Sequence, residues 1–144
     1  MAMSVKSAKL WVLDANDRAG LLADTLGPLA SAGASLRVVM AYRHPGQTER
    51  AAVEVYPIQG KKAEAAAQAA GMQPSQMACL LVEGDDRPGM GAQLSRAIAS
   101  SGLSMTFLMA QVIGRKFSAA VGFSSEQDAE AAAKAIKSAG KKRG

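Results

Sequence analysis

A short turn occurs twice in this chain, and it restricts what the chain can fold into more than any other feature. Ala15-Asn16-Asp17-Arg18-Ala19-Gly20 follows an apolar run and precedes a helical pattern, and Gly84-Asp85-Asp86-Arg87-Pro88-Gly89 does the same 69 residues later. The match runs well past the turn. At that offset Asp17/Asp86, Arg18/Arg87, Gly20/Gly89, Ala23/Ala92, Ala30/Ala99, Ser31/Ser100, Gly33/Gly102, Ser35/Ser104, Met40/Met109 and Ala41/Ala110 are identical. Beyond the following hairpin the offset becomes 68, which aligns Ala51-Ala52-Val53 with Ala119-Ala120-Val121 and implies a second hairpin one residue shorter. A chain of 144 residues that repeats itself at half its length is a duplicated folding unit.

Each copy reads β-α-β-β-α. In the first, Ala8 to Asp14 is apolar on both sides and reads as a strand, with Asp14 or Asp17 available to cap the next helix. Gly20 to Gly33 reads as that helix, with Leu22, Leu26, Leu29 and Ala30 on one face, a kink at Gly27-Pro28 and Gly33 as its stop. Ser35 to Arg43 alternates Leu36, Val38, Met40 and Tyr42, His44-Pro45-Gly46 is a turn, and Glu49 to Tyr56 returns as a strand. Gly60 to Ala70 is an alanine-rich helix, and Pro74 breaks the chain before the second copy. There Met77 to Val82 is the first strand, and Pro88 sits where a first helical residue belongs. Met90, Leu94, Ala97 and Ile98 line the helix closed by Gly102. Leu103 to Ile113 and Lys116 to Phe123 pair through a Gly114-Arg115 hairpin, and Ser125 with Asp128 opens a last helix to about Ala139.

This order gives an α+β chain of two ferredoxin-like units, each an antiparallel sheet with helices packed on one face. The first unit is expected over 1–73 and the second over 74–140, with 141–144 as a basic tail. Each unit looks one strand short of the usual four, because 71–75 is brief and nothing after Ala139 resembles a strand. The strand over 105–113 carries Met105, Phe107, Met109 and Ile113 on one face and Leu108, Ala110 and Val112 on the other. Unpaired edges and two-sided apolar strands both predict association.

Composition excludes several functions. With one cysteine, Cys79, and one histidine, His44, the chain has no intramolecular disulfide, no metal site and no nucleophile–base pair, so no catalytic residue is assigned and no cofactor is expected. Cys79 reads as a small buried hydrophobe. Three of the excess positive charges behind the net +5 sit at Lys141, Lys142 and Arg143, where they suit a helix C-terminus better than a nucleic-acid surface. All six aromatics fall in predicted strands, and only Phe107 and Phe117 are placed to stack on bases, which argues against RNA binding. No run reaches membrane-spanning or signal-peptide length, so the expected location is the cytoplasm.

The Asp-Arg-Pro-Gly turn, the helix ending in Gly and the Gly102-Leu103-Ser104 step into the next strand resemble the ACT domain, a small regulatory module of amino-acid metabolism. The resemblance covers 8–72 and again 77–140, and the second copy is closer because the first has Ala19 where the family usually has proline. It implies a non-catalytic sensor that binds a small molecule, often a free amino acid, between two units paired through their second strands. The implied ligand residues are Asn16, Asp17, Gly20 and Ser35 in the first copy and Asp85, Asp86, Gly89 and Ser104 in the second. The family often has asparagine where Ser35 and Ser104 stand, and a hydroxyl lacks an amide's paired donor and acceptor. By the residues alone, Asp17 and Asp86 read first as helix caps and Ser35 and Ser104 as strand-start hydrogen-bonders, while Gly20 and Gly89 suit close helix–sheet packing as well as ligand approach. The implied partners are a small-molecule ligand and a homodimer mate or partner protein. The alternative is a ligand-independent interaction module acting on an enzyme or a transcription regulator.

Overall fold

The structure, a computed structural model, describes residues 3–143, with side chains through Gly140. The chain divides into two compact units, Lys9–Ser75 and Gln76 onward, and the second also takes the N-terminal residues up to Ala8.

In the first unit, β2 (Trp11–Asn16), α1 (Leu21–Ser31), β3 (Val38–His44), β4 (Gln47–Tyr56), α2 (Lys61–Ala69) and β5 (Gln73–Pro74) build a four-stranded antiparallel sheet in the order β3-β4-β2-β5. Trp11, Val53 and Val55 of the strands pack with Leu29, Ala63 and Ala67 of the helices, and this side is the core. Helix α1 runs unbroken through Pro28 and presents Thr25 and Leu29 inward, so Leu22 and Ala30, expected on the buried face, are exposed. It ends as predicted: Gly33 adopts φ +83° and the amides of Gly33 and Ala34 close on the Ala30 and Leu29 carbonyls.

The second unit repeats this plan with β6 (Ala78–Asp85), α3 (Met90–Ser100), β7 (Phe107–Ile113), β8 (Lys116–Phe123) and α4 (Glu126–Arg143). Leu80, Val82, Val121 and Phe123 pack on Met90, Leu94, Ile98 and Ile136. Ser125 Oγ accepts from the Asp128 amide and caps α4, as its spacing suggested. Of the tail expected over 141–144, residues 141–143 continue the backbone of α4, and Gly144 lies outside the described residues.

Neither unit is short of a strand. In the first unit β5 pairs with β2 through Trp11↔Pro74 and Val12↔Gln73, a strand of two residues fitted into the link. In the second, β1 (Ser4–Ala8) takes the corresponding place, antiparallel to β6 from Ser4↔Glu83 to Ala8↔Cys79, in the order β1-β6-β8-β7. The first unit is thus inserted between the fourth strand of the second and the rest of it. The sequence SVKSA has neither apolar alternation nor a flanking turn signal, so it does not announce itself as a strand. The expected boundary at 73/74 misses this contribution from 4–8.

Register also revises the alignment of the return strands. In the first unit Ala41 pairs with Val53 and Val39 with Val55; in the second Ala110 pairs with Ala119 and Leu108 with Val121. Three equivalent backbone contacts agree with that pairing. Asp17 and Asp86 donate to the carbonyls of Glu49 and Arg115, and Arg37 and Thr106 donate to those of Tyr56 and Gly122, while Asn16 and Asp85 stand opposite Arg50 and Lys116. The true offset on the return strand is 66, not 68. The Ala-Ala-Val identity is out of register by two residues, which leaves each side chain on its own face. The three extra residues of the first copy are absorbed in β4 at the shift between Arg43 and His44.

Candidate ligand groove

The turn after each unit's first strand reverses direction in the same way. Arg18 and Arg87 accept from the amides of Leu21 and Met90, and Gly20 and Gly89 stand at the N-caps of α1 and α3 with φ +86° and +89°. Positive φ at these two positions is what requires glycine. Neither helix has a side-chain cap. Asp17 and Asp86 are therefore not caps: each lies three residues before its N-cap glycine and is held by its own amide, on Glu49 of the return strand and on Arg115 of the hairpin turn. Pro88 likewise precedes the N-cap and is not the first helical residue. With Asp24 and Gln93 amides bonded to Gly20 and Gly89, the amides of Leu22 and Ala23, and of Gly91 and Ala92, have no acceptor among the described bonds.

In the first unit this uncapped end opens on a groove of about 390 Å³. Its walls come from Asp17, Arg18 and Gly20 in the turn, Leu21 to Ala23 at the start of α1, Ala41 to Arg43 on β3 and Ala51 to Val53 on β4. The groove exists because β3 is an edge strand that the helices do not cover. Val39, Ala41 and Arg43 point to the same side as the core residues Val55, Val53 and Ala51, yet all three are exposed. The exposed apolar side of the second unit's edge strand is the same one. Leu108 and Val112 share a face with core residues Val121 and Phe117 and remain exposed. Meanwhile Cys79 and Leu81, whose side chains alternate with those of the second unit's core, are buried too.

The charges in the first groove are paired. Arg43 Nε donates to Asp17 Oδ2 at 2.7 Å, and Arg18 reaches Asp24 at 2.8 Å. Asn16 and Ser35 lie elsewhere: Asn16 Oδ1 accepts from Arg50 Nη1 at 2.9 Å, and Ser35 is exposed in the loop before β3, which starts three residues later than expected. In the second unit Asp85 pairs with Lys116, and the ammonium beside it holds its carboxyl below the usual carboxylate range. Arg87 donates to the buried Gln93 amide oxygen at 3.2 Å, Asp86 is exposed with no described side-chain bond, and Ser104 is exposed in the loop before β7. Of the eight residues marked by the sequence, the structure brings Asp17 and Gly20 to the first groove. Arg43 was not among them. Its signal was its place in the alternation Val39, Ala41, Arg43, which needed the knowledge that this side of β3 is open.

On the other face of the first sheet Tyr42 donates to Glu54 Oε2 at 2.9 Å. Burial, that hydrogen bond, and the Glu54 and Asp14 charges push the tyrosine up to about 12. Among the described residues no cluster of three or more His, Cys, Asp or Glu is placed to hold a metal ion, and no helix is long and apolar enough to cross a membrane.

No protein-family model matches the chain, and no curated protein does. Solved structures do. The ligand-free regulatory subunit of aspartate kinase from Thermus thermophilus superposes with a TM-score of 0.65 at 20% identity, over 96% of this chain and 97% of that one. The chain carries the tandem ACT fold. The corresponding regulatory subunit from Thermus flavus matches over the same shares at 19% identity with a TM-score of 0.61. A protein from Bacteroides thetaiotaomicron matches with a TM-score of 0.74 at 12% identity, over 90% of this chain and 88% of that one. The match spans nearly the full length of these neighbours as well as of this chain.

Proposed function

We propose that this protein is a non-catalytic regulatory subunit or stand-alone sensor that binds a free amino acid in the first unit's groove. The observation that carries the reading is the groove at an uncapped helix start, with Asp17 on its wall. The amides of Leu22 and Ala23 suit a carboxylate, and Asp17 suits an α-ammonium. The fold neighbours named as regulatory subunits of aspartate kinase support a regulatory role. In the second unit, Asp85, Asp86, Gly89 and Ser104 hold the corresponding positions and are assigned a weaker version of the same role. Calorimetric titration of the chain with each of the twenty amino acids tests the proposal. Heat at submillimolar to millimolar ligand, reduced about tenfold in affinity by Asp17→Ala, supports it. Silence with all twenty ends it.

A second reading has its own observation. The edge strands β3 and β7 expose Val39, Leu108, Val112 and Ile113, and Ile113 is 66% exposed. An apolar edge favours a partner strand, so these residues support a role in association that needs no ligand. Light scattering decides it: a monomer at all concentrations, with and without amino acids, rejects self-association.

A further inference from the structure

We propose that the first groove selects an acidic amino acid, a zwitterion with a second carboxylate, and that Arg43 imposes this choice. The inference rests on the ligand-binding reading of the same groove and narrows it. Asp17 and Arg43 stand on facing walls, turn and edge strand, joined by the 2.7 Å bond from Arg43 Nε to Asp17 Oδ2. The third charged residue of the wall, Arg18, is engaged with Asp24. An α-ammonium seated on Asp17 therefore competes with Arg43 for the same carboxylate.

A ligand with a neutral side chain gains Asp17 and leaves Arg43 without its partner. A ligand with a second carboxylate replaces what it displaces: the pair Asp17–Arg43 becomes Asp17–ammonium and Arg43–carboxylate, and no charge is left over. The guanidinium is ready for this exchange. Its side chain is 67% exposed, and its two Nη groups make no described hydrogen bond. A planar fork with both ends open receives a carboxylate through two parallel bonds. The second unit lacks the device. Val112 occupies the place of Arg43, as the register Arg43↔Ala51 and Val112↔Phe117 shows, and Asp86 has no cation to exchange. The selection is therefore confined to one groove per chain.

Titration of the whole chain with aspartate, asparagine, glutamate and glutamine tests the claim. One of the two acids is expected to bind at one per chain and about tenfold or more tighter than its own amide. Arg43→Val should abolish that preference with circular dichroism and melting temperature unchanged, and Arg43→Lys should keep its direction at reduced size. An amide that binds as tightly as its acid overturns the proposal, as does a preference that survives Arg43→Val. If some other amino acid binds and both acids do not, the groove reading stands and the role of Arg43 falls. If none of the twenty binds, the groove reading itself is lost and this inference goes with it.

Discussion

The two turns, Ala15 to Gly20 and Gly84 to Gly89, have the same backbone and different side-chain surroundings. In both, an aspartate amide is tied to an equivalent carbonyl, of Glu49 or Arg115, an arginine carbonyl closes the turn, and a left-handed glycine starts the helix without a cap. Around the first, Arg43 neutralises Asp17 and the groove wall is charged. Around the second, Val112 and Leu108 make the wall apolar, Asp86 stands alone, and Lys116, at the place of Arg50, holds Asp85 where Arg50 holds Asn16. The difference teaches that main-chain bonds, which any residue can make, keep a duplicated turn in shape. Side chains around it are then free to diverge.

The largest expected effect concerns the fourth strands, where the units also differ. A chain lacking residues 1–8 removes the whole ladder from β1 to β6 and should cost about 3 kcal/mol or more, uncoupling the second unit's melting from the first. β5 makes two residue pairs only, and Pro74→Ala, which removes no ladder hydrogen bond, should cost the first unit about 1 kcal/mol or less. Calorimetric scanning separates the two transitions. Equal effects would mean that β1 is not integral to the second sheet.

Next comes the β7–β8 contact. A Cβ on Gly122 would collide with the Phe107 ring and with Thr106 Oγ1, whereas the equivalent position in the first copy is Tyr56, opposite Val38. The ring stands on the return strand in the first copy and on the edge strand in the second. Gly122→Ala should cost about 2 kcal/mol by urea denaturation, and Phe107→Val should relieve part of it, with the Thr106 hydroxyl contact remaining. An additive double variant would show that the ring does not lie over Gly122.

The shared backbone predicts a smaller and equal pair of effects. Gly20→Ala and Gly89→Ala each force a Cβ into the left-handed region and should each cost about 1 kcal/mol. A large inequality would break the equivalence of the two turns.

The smallest effects are electrostatic. Asp85, lowered by Lys116, adds stability that is present above the ordinary carboxylate range and is lost as pH falls through its lowered value. Lys116→Ala should return it to that range in an NMR titration. Tyr42 behaves oppositely. Raised to about 12 from 10.0, its contribution is present below pH 10 and lost as pH climbs toward 12. Glu54→Gln should bring the tyrosine only part of the way back, because burial is the larger cause. A complete return in an ultraviolet titration would assign the shift to Glu54 alone.

The elements themselves were legible because their signals are local. Glycines that must take positive φ mark the ends of α1, α2 and α3 at Gly33, Gly71 and Gly102, and the Gly114 hairpin and the Ser125 cap stand where the sequence puts them. The repeat settled that there are two units of one kind, and the pattern of apolar residues settled most of each core. What the tertiary structure alone decided is which strands meet and in what register. Ser4–Ala8 joins β6, dozens of residues away, because that sheet has an open position and the chain passes it; no property of five mostly polar residues encodes the choice. The offset of 66 arises from a bulge that identity matching cannot see. The open side of β3, and with it the place of Arg43 beside Asp17, depends on how far the two helices reach across the sheet. Strand partners are chosen by loop closure and vacant edges, which are properties of the whole fold and not of any stretch within it.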